Sequence, residues 1–186
     1  VITVVSGLPR SGTSMAMQML HAGGMPVLAD GVRTADADNP RGYFEFERVK
    51  ALRTDKAWLD QAEGHVVKII HLLLPELPQD RDYRVLFMER SLPEVVRSQA
   101  VMLERSGRAG GGLAPERLMA MYQAQLQQVH NWLASNPRAA VLKLPHAQVL
   151  REPAAWAERV NAFLGGTLDQ AAMVAAVDPS LHRNRG

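Results

Sequence analysis

Gly7-Leu8-Pro9-Arg10-Ser11-Gly12-Thr13-Ser14 follows directly on the apolar run Val1-Ile2-Thr3-Val4-Val5, and the reading of this junction decides the fold. A short β-branched run of this kind reads as a buried strand, Val1 to Ser6. The glycines and proline after it make a tight loop. From Thr13 to His21 the pattern predicts a helix, stopped by Gly23-Gly24, with Met15, Met17, Met19 and Leu20 as packing residues. A strand–loop–helix unit of this shape turns successive backbone N–H groups inward. The helix N-terminus adds partial positive charge, so the loop is expected to cradle an anion.

The spacing Gly-x4-Gly-Thr-Ser is that of a P-loop, with Thr13 standing where a nucleoside triphosphatase carries lysine. An ATP or GTP site uses that lysine on the β- and γ-phosphates, with magnesium beside it. In this loop the only cation is Arg10. The expected ligand therefore has fewer anionic groups than a nucleoside triphosphate.

The rest of the chain repeats the alternation of apolar runs and helical patterns that marks an α/β fold with a largely parallel sheet. Strands are expected at Met25 to Leu28, Val66 to Ile70, Tyr83 to Met88 and Ala140 to Leu144. Tyr43 to Asp60 reads as mainly helical. Ser91 caps a helix with Pro93 in its first turn that runs to about Arg105. Leu118, Tyr122, Leu126, Val129 and Leu133 recur at helical spacing from Pro115 to Ser135, with the glutamines facing out. Trp156 to Leu164 is a further helix, ended by Gly165-Gly166. Ala29 to Gly42 is polar and irregular, and the glycine-rich Arg108 to Gly112 is expected to be mobile. The 186 residues suit one domain, residues 1–186, with a substantial core.

Composition narrows the chemistry. Twenty-one basic and nineteen acidic residues leave a net charge of +2, which does not argue for nucleic acid. The chain has no cysteine, which excludes disulfides, thiolate metal sites and cysteine nucleophiles. Its apolar runs fall far short of a membrane span, and no signal-peptide pattern precedes the first strand. A soluble, cytoplasmic protein is expected. Because the chain begins inside a strand, a short further N-terminal segment is compatible with the sequence. His21, His65, His130, His146 and His182 lack metal-ligand spacing, and no metal is expected.

Strand Tyr83 to Met88 ends in Glu89-Arg90, and Ser98 stands eight positions after the arginine, on the helix that follows. Arginine presents a planar fork to phosphate oxygens, and a serine on the following helix adds a neutral donor. Glu89 falls where a magnesium-binding acid would stand, but Arg90 beside it competes for its charge.

Pro9-Arg10-Ser11-Gly12-Thr13-Ser14 resembles the 5′-phosphosulfate loop of sulfotransferases that use 3′-phosphoadenosine 5′-phosphosulfate (PAPS). The Arg90 and Ser98 pair resembles the family's 3′-phosphate site, and the resemblance thus implies two anion sites, for a ligand carrying both a 5′-phosphosulfate and a 3′-phosphate. Asn39-Pro40-Arg41-Gly42-Tyr43-Phe44-Glu45 is similar to a run in bacterial sulfotransferase-like proteins. Val141-Leu142-Lys143-Leu144, then Leu150, Pro153 and Phe163-Leu164-Gly165, look like that family's late strand and last helix, and Val177-Asp178-Pro179-Ser180-Leu181 also has its look. The resemblance spans nearly the whole chain with the motifs in family order. It implies a three-layer P-loop fold with a mainly parallel central sheet flanked by helices.

The resemblance also implies site residues. Leu8, Pro9, Arg10, Ser11, Gly12, Thr13 and Ser14, with Arg90 and Ser98, are expected to bind PAPS, with 3′-phosphoadenosine 5′-phosphate (PAP) left as product. Arg10 is expected to stabilise the leaving side, by charge alone since guanidinium gives up no proton. Glu45 is the first candidate for the base, because relatives of the tyrosylprotein type use a glutamate in this segment. Burial among Tyr43, Phe44 and Phe46 would suit it to that role. His71 is the second, although Lys68-Ile69-Ile70-His71 is one residue longer than the Lys-x-His of the cytosolic enzymes. Lys68 is expected to reach the sulfuryl oxygens. Arg183 and Arg185 can add to the 3′-phosphate site. The acceptor is expected to be a hydroxyl, or an amine, of a small molecule, glycan or peptide. Ala29 to Gly42 and Arg105 to Ala114 are expected to border its pocket. A magnesium-dependent small-molecule kinase or nucleoside triphosphatase, and an inactive PAP(S)-binding module, are the other readings the chain admits.

Overall fold

In the computed structural model, the structure describes residues 1–31, 42, 44–105, 107 and 113–177. Strand β1 (Ile2–Gly7) leads through the loop into helix α1 (Thr13–Ala22). Strands β2 (Val66–Lys68) and β3 (Tyr83–Glu89) follow, then helices α2 (Leu92–Arg105) and α3 (Pro115–Ser135). Strand β4 (Ala139–Pro145) precedes α4 (His146–Arg151), α5 (Pro153–Leu164) and α6 (Gln170–Ala176). Among the described residues the sheet has the order β2-β1-β3-β4, and every pairing is parallel. The expected α/β class with a parallel sheet is the one observed. Among the same residues, no helix is long and apolar enough to cross a membrane.

A parallel sheet survives only when both faces are covered, and all six residues of β1 are buried. Side chains alternate between the faces. Ile2 and Val4 of β1 join Val85 and Phe87 of β3 in a core with Trp58, Leu59, Leu74 and the α3 residues Val129 and Leu133. Val5, Leu86 and Met88 point the other way, into Met15, Met17 and Leu20 of α1, Trp156 and Val160 of α5 and Met173 of α6. The methionines of α1 are thus packing residues. Register then sets the position of the loop. Gly7 pairs with Met88 and Glu89 with Pro145, so the ends of β1, β3 and β4 lie level at the carboxyl edge.

Several expectations are corrected. The stretch Tyr43 to Asp60 is not mainly α-helical over its described residues, 44–60: these form two short 3₁₀ turns, Glu47–Ala51 and Ala57–Asp60. Thr54 Oγ1 donates back to the Ala51 carbonyl and Asp55 Oδ1 accepts from Ala57 N–H, offering the backbone partners outside a helix. The strand expected at Met25 to Leu28 is reduced to a single bridge between Val27 and Val66, because Pro26 has no N–H to give a ladder. Strand β2 stops at Lys68 rather than Ile70, and the chain turns into a 3₁₀ segment, His71–Glu76. Gln125 of α3 is turned inward, unlike the exposed Gln123, Gln127 and Gln128. Helices α4 and α6 are additions to the sequence reading; Asp169 caps α6 by accepting from Ala172 N–H. The expected mobile segment Arg108 to Gly112 and the tail arginines Arg183 and Arg185 lie outside the described residues.

Leu86 sits fully buried on the central strand between β1 and β4. Leu86→Ala is expected to destabilise the fold by about 2–5 kcal/mol, read as a lower urea midpoint at an unchanged m-value.

Candidate functional site

The loop between β1 and α1 is shaped by crowding as much as by glycine flexibility. Gly7 has a φ of 152°, and a side-chain carbon there would lie 2.5 Å from Ser11 Oγ and 2.9 Å from the Met88 carbonyl. Gly12, the N-cap of α1 with a φ of 104°, has the His146 ring and the Met88 methyl against it; a side-chain carbon would come within 2.6 Å of His146 Cδ2. Only glycine fits at either place. The first turn of α1 holds no acidic residue, so its partial positive charge is uncompensated from within the helix.

Arg10 adopts the left-handed conformation, with a φ of 66°, which is uncommon for a residue with a side chain. Two long-range bonds hold it there. Its Nε donates to Ser98 Oγ at 3.1 Å, and its carbonyl accepts from Arg90 Nη1 at 3.0 Å. Arg90 Nε in turn donates to Glu94 Oε2 at 2.9 Å. The Arg90 side chain is 7% exposed, and Ser98 is buried. Arg10 and the pair Arg90 and Ser98, which lie far from it in the chain, therefore form one interlocked group beside the loop.

A second group forms on the other side of the loop. Lys68, at the end of β2, reaches Ser14 Oγ at 3.4 Å and Glu45 Oε1 at 3.7 Å. Ser14 lies in the first turn of α1, so this ammonium stands at the positive end of the helix with a carboxylate beside it. Tyr43, expected to flank Glu45, lies outside the described residues, as do Asn39, Pro40 and Arg41.

His71 is set apart from that group. It is 2% exposed at the start of its 3₁₀ segment, its Nε2–H donating to Gln125 Oε1 at 2.8 Å and its ring lying edge-on to Tyr122. Burial pushes His71 below the ordinary imidazole range, while the Gln125 side chain and the Gly7 backbone pull in the opposite direction. Its Nδ1 meets no partner at normal hydrogen-bond geometry among the described residues. Because β2 ends at Lys68, strand alternation does not set the direction of His71. Its contacts with α3 do.

Leu8 is buried against Val95, Val96 and Tyr122, pinning the loop to α2 and α3. Ser11 is buried, Pro9 is exposed, and Thr13 is partly exposed. Sequence reading missed His146 beneath Gly12, Gln125 beside His71, and the ion pair between Glu89 Oε1 and Lys143 Nζ at 3.0 Å. An available signal for the last was the two-residue period of β3 and β4, which puts Glu89 and Lys143 on one face.

The fold has counterparts among solved structures. A sulfotransferase domain from the curacin biosynthetic pathway matches with a TM-score of 0.54 and 14% identity, over 97% of this chain and 88% of that one. A sulfotransferase from Alicyclobacillus acidocaldarius matches with a TM-score of 0.55 and 17% identity, over 98% of this chain and 96% of that one. At these identities the likeness is one of fold. No protein-family profile matches the chain, and no curated protein sequence does.

A histidine whose folded pKa is depressed binds its proton more readily in the unfolded chain. The stability from neutral, buried His71 is therefore complete above about 6.5 and is lost as the pH falls through its lower folded value. Burial lowers His130 as well, with Lys143 adding to the effect, so the two act in the same direction. Between pH 7.5 and 5.5, both values being about one unit from the ordinary pKa, the urea midpoint is expected to fall more steeply for the native chain than for His71→Asn.

Proposed function

We propose that this chain is a PAPS-dependent sulfotransferase, moving a sulfuryl group to a hydroxyl or amine acceptor. One observation carries the reading: Arg10, Arg90 and Ser98 are joined at the carboxyl edge, next to the uncapped positive end of α1. This arrangement suits a ligand with two separated anionic groups. The loop amides and the hydroxyls of Ser11, Thr13 and Ser14 would take the 5′-phosphosulfate, and Arg90 with Ser98 the 3′-phosphate. The shared fold with two bacterial sulfotransferases supports the same reading.

The reaction is an in-line displacement at sulfur. A bond forms between the acceptor atom and sulfur as the bond from sulfur to the phosphate oxygen breaks; that oxygen leaves as PAP, and the acceptor proton passes to a base. Arg10 and the N-terminus of α1 would stabilise negative charge on the departing oxygen, and Lys68 the charge on the sulfuryl oxygens. Glu45, adjacent to Lys68 and partly exposed, is better placed to take the acceptor proton than buried His71. The burial of His71 also favours, as a second reading, a module that binds PAP(S) without transfer. Small-molecule, glycan and peptide acceptors all remain within the proposal.

Calorimetric titration with PAP, run beside ATP–magnesium, tests the ligand class. PAP is expected to bind and ATP–magnesium to bind far more weakly. Arg90→Lys and Ser98→Ala, each verified as folded by its urea transition, are expected to weaken PAP by about tenfold or more. Preference for ATP–magnesium overturns the reading in favour of phosphoryl transfer.

Transfer of labelled sulfuryl from PAPS to an acceptor panel tests the chemistry. Arg10→Ala is expected to lower the rate by about 10²–10³-fold while changing PAP affinity much less. Binding of PAP with no transfer to any acceptor supports the non-catalytic module.

A further inference from the structure

A pocket of about 170 Å³ opens between the loop, the carboxyl end of β3 and helix α3. Leu8, Phe87 and Leu126 contribute apolar walls, while Ser11, Glu89, Arg90 and His130 bring polar groups to the lining. Among the described residues, Ser11 Oγ, Arg90 Nη2 and His130 Nε2 are buried without a hydrogen-bond partner. Buried polar atoms are rarely left unsatisfied, and three on the lining of one pocket point to a polar occupant.

The geometry narrows what that occupant is. His130 lies edge-on to Phe87, with ring centroids 5.3 Å apart, and its Nε2 is 4.0 Å from Glu89 Oε1. That separation is too long for a hydrogen bond, but one oxygen lying to the side of the line joining two atoms this far apart can bond to both. A hydroxyl suits the position because it can donate to the carboxylate and accept from an imidazole N–H. A phosphate oxygen there would face the charge of Glu89, which Lys143 Nζ holds in place from 3.0 Å. Arg90, the next residue in the chain, carries the unpartnered Nη2, a donor suited to an anion instead. The pocket thus asks for an anionic group and a neighbouring hydroxyl on the same small scaffold. It lies between the loop and Arg90, where a sugar joining two anionic groups would sit.

We propose that Glu89 and His130 form a clamp for the ribose 2′-hydroxyl of the nucleotide, and so read the sugar next to its 3′-phosphate. This rests on the sulfotransferase reading above. The position agrees with a general feature of open α/β sheets, whose ligands lie beyond the carboxyl ends of strands where the strand order reverses. In dinucleotide-binding sheets, an acidic residue takes the ribose 2′-hydroxyl. Here the reversal falls between β1 and β3.

Titration of the full chain with adenosine 3′,5′-bisphosphate and with 2′-deoxyadenosine 3′,5′-bisphosphate tests the clamp. The native protein is expected to prefer the ribonucleotide by about tenfold. In Glu89→Gln the ribonucleotide affinity is expected to fall towards that of the deoxynucleotide, which itself changes little. His130→Phe keeps a ring against Phe87 while removing the nitrogen, and is expected to narrow the same gap. It serves as the second variant if Glu89→Gln, which leaves Lys143 without its carboxylate, folds poorly. Equal affinities in the native protein, or a gap that persists in both variants, overturn the clamp and leave the pocket to water. Those results leave the sulfotransferase reading standing. If neither nucleotide binds the native protein, that reading falls and the clamp falls with it.

Discussion

The bond from Arg90 Nη1 to the Arg10 carbonyl ties the two ends of the site together. Arg90 is almost wholly buried, with Glu94 as its carboxylate partner, so its guanidinium is held in one place rather than swinging in solvent. From there it grips a residue whose backbone is in a conformation disfavoured by about 1–3 kcal/mol for a residue with a side chain. Such a conformation persists only where the surroundings over-determine it. Here they do so through the carbonyl, held by Arg90, and through the side chain, held by Ser98. The loop that follows β1 is therefore braced from β3 and α2, not by its own local geometry alone.

The sheet explains how that brace is possible. Parallel pairing of β1 with β3 sets Gly7 level with Met88, leaving Arg90 two residues beyond at the height of the loop. The alternation of side chains then separates the two faces. One face carries the methionine-rich α1 against α5 and α6; the other carries α3, with Gln125 on His71 and His130 over Phe87. Lys68, Ser14 and Glu45 meet near the start of α1, whereas Glu89 and Lys143 meet across β3 and β4. The cationic groups thus border the carboxyl edge from three strands without being crowded into one cluster, an arrangement suited to an extended ligand with separated charges.

Much of this was legible in the chain. β1, the loop, α1 and α3 announce themselves by a β-branched run, by glycines at fixed offsets and by apolar residues at helical spacing. Arg10 could be named together with Arg90 and Ser98 only because their motifs resemble a known family, since no local pattern links the loop to residues so far along the chain. The segment from Tyr43 to Asp60 was read as mainly helical, whereas Thr54 and Asp55 turn their side chains onto the local backbone. The end of β2 was set too late for a related reason. A strand reading was carried past Lys68, where the chain leaves the sheet for a 3₁₀ turn. Gln125 looked like an outward residue of an amphipathic helix until His71 supplied a buried partner.

By itself the sequence determined what short-range chemistry controls: where strands and helices arise, which apolar stripe each buries, and where glycine must stand for the chain to turn. It determined too that the loop carries arginine and no lysine, and that cysteine chemistry is absent. Only the tertiary structure decided that Arg10 would rest on Ser98, that Arg90 would hold the loop, and that Lys68 would pair with Glu45 while His71 is withdrawn beneath α3. These contacts join residues separated by many turns of chain. Their distances follow from strand order, register and packing, which depend on every element at once and are written in no single stretch of sequence.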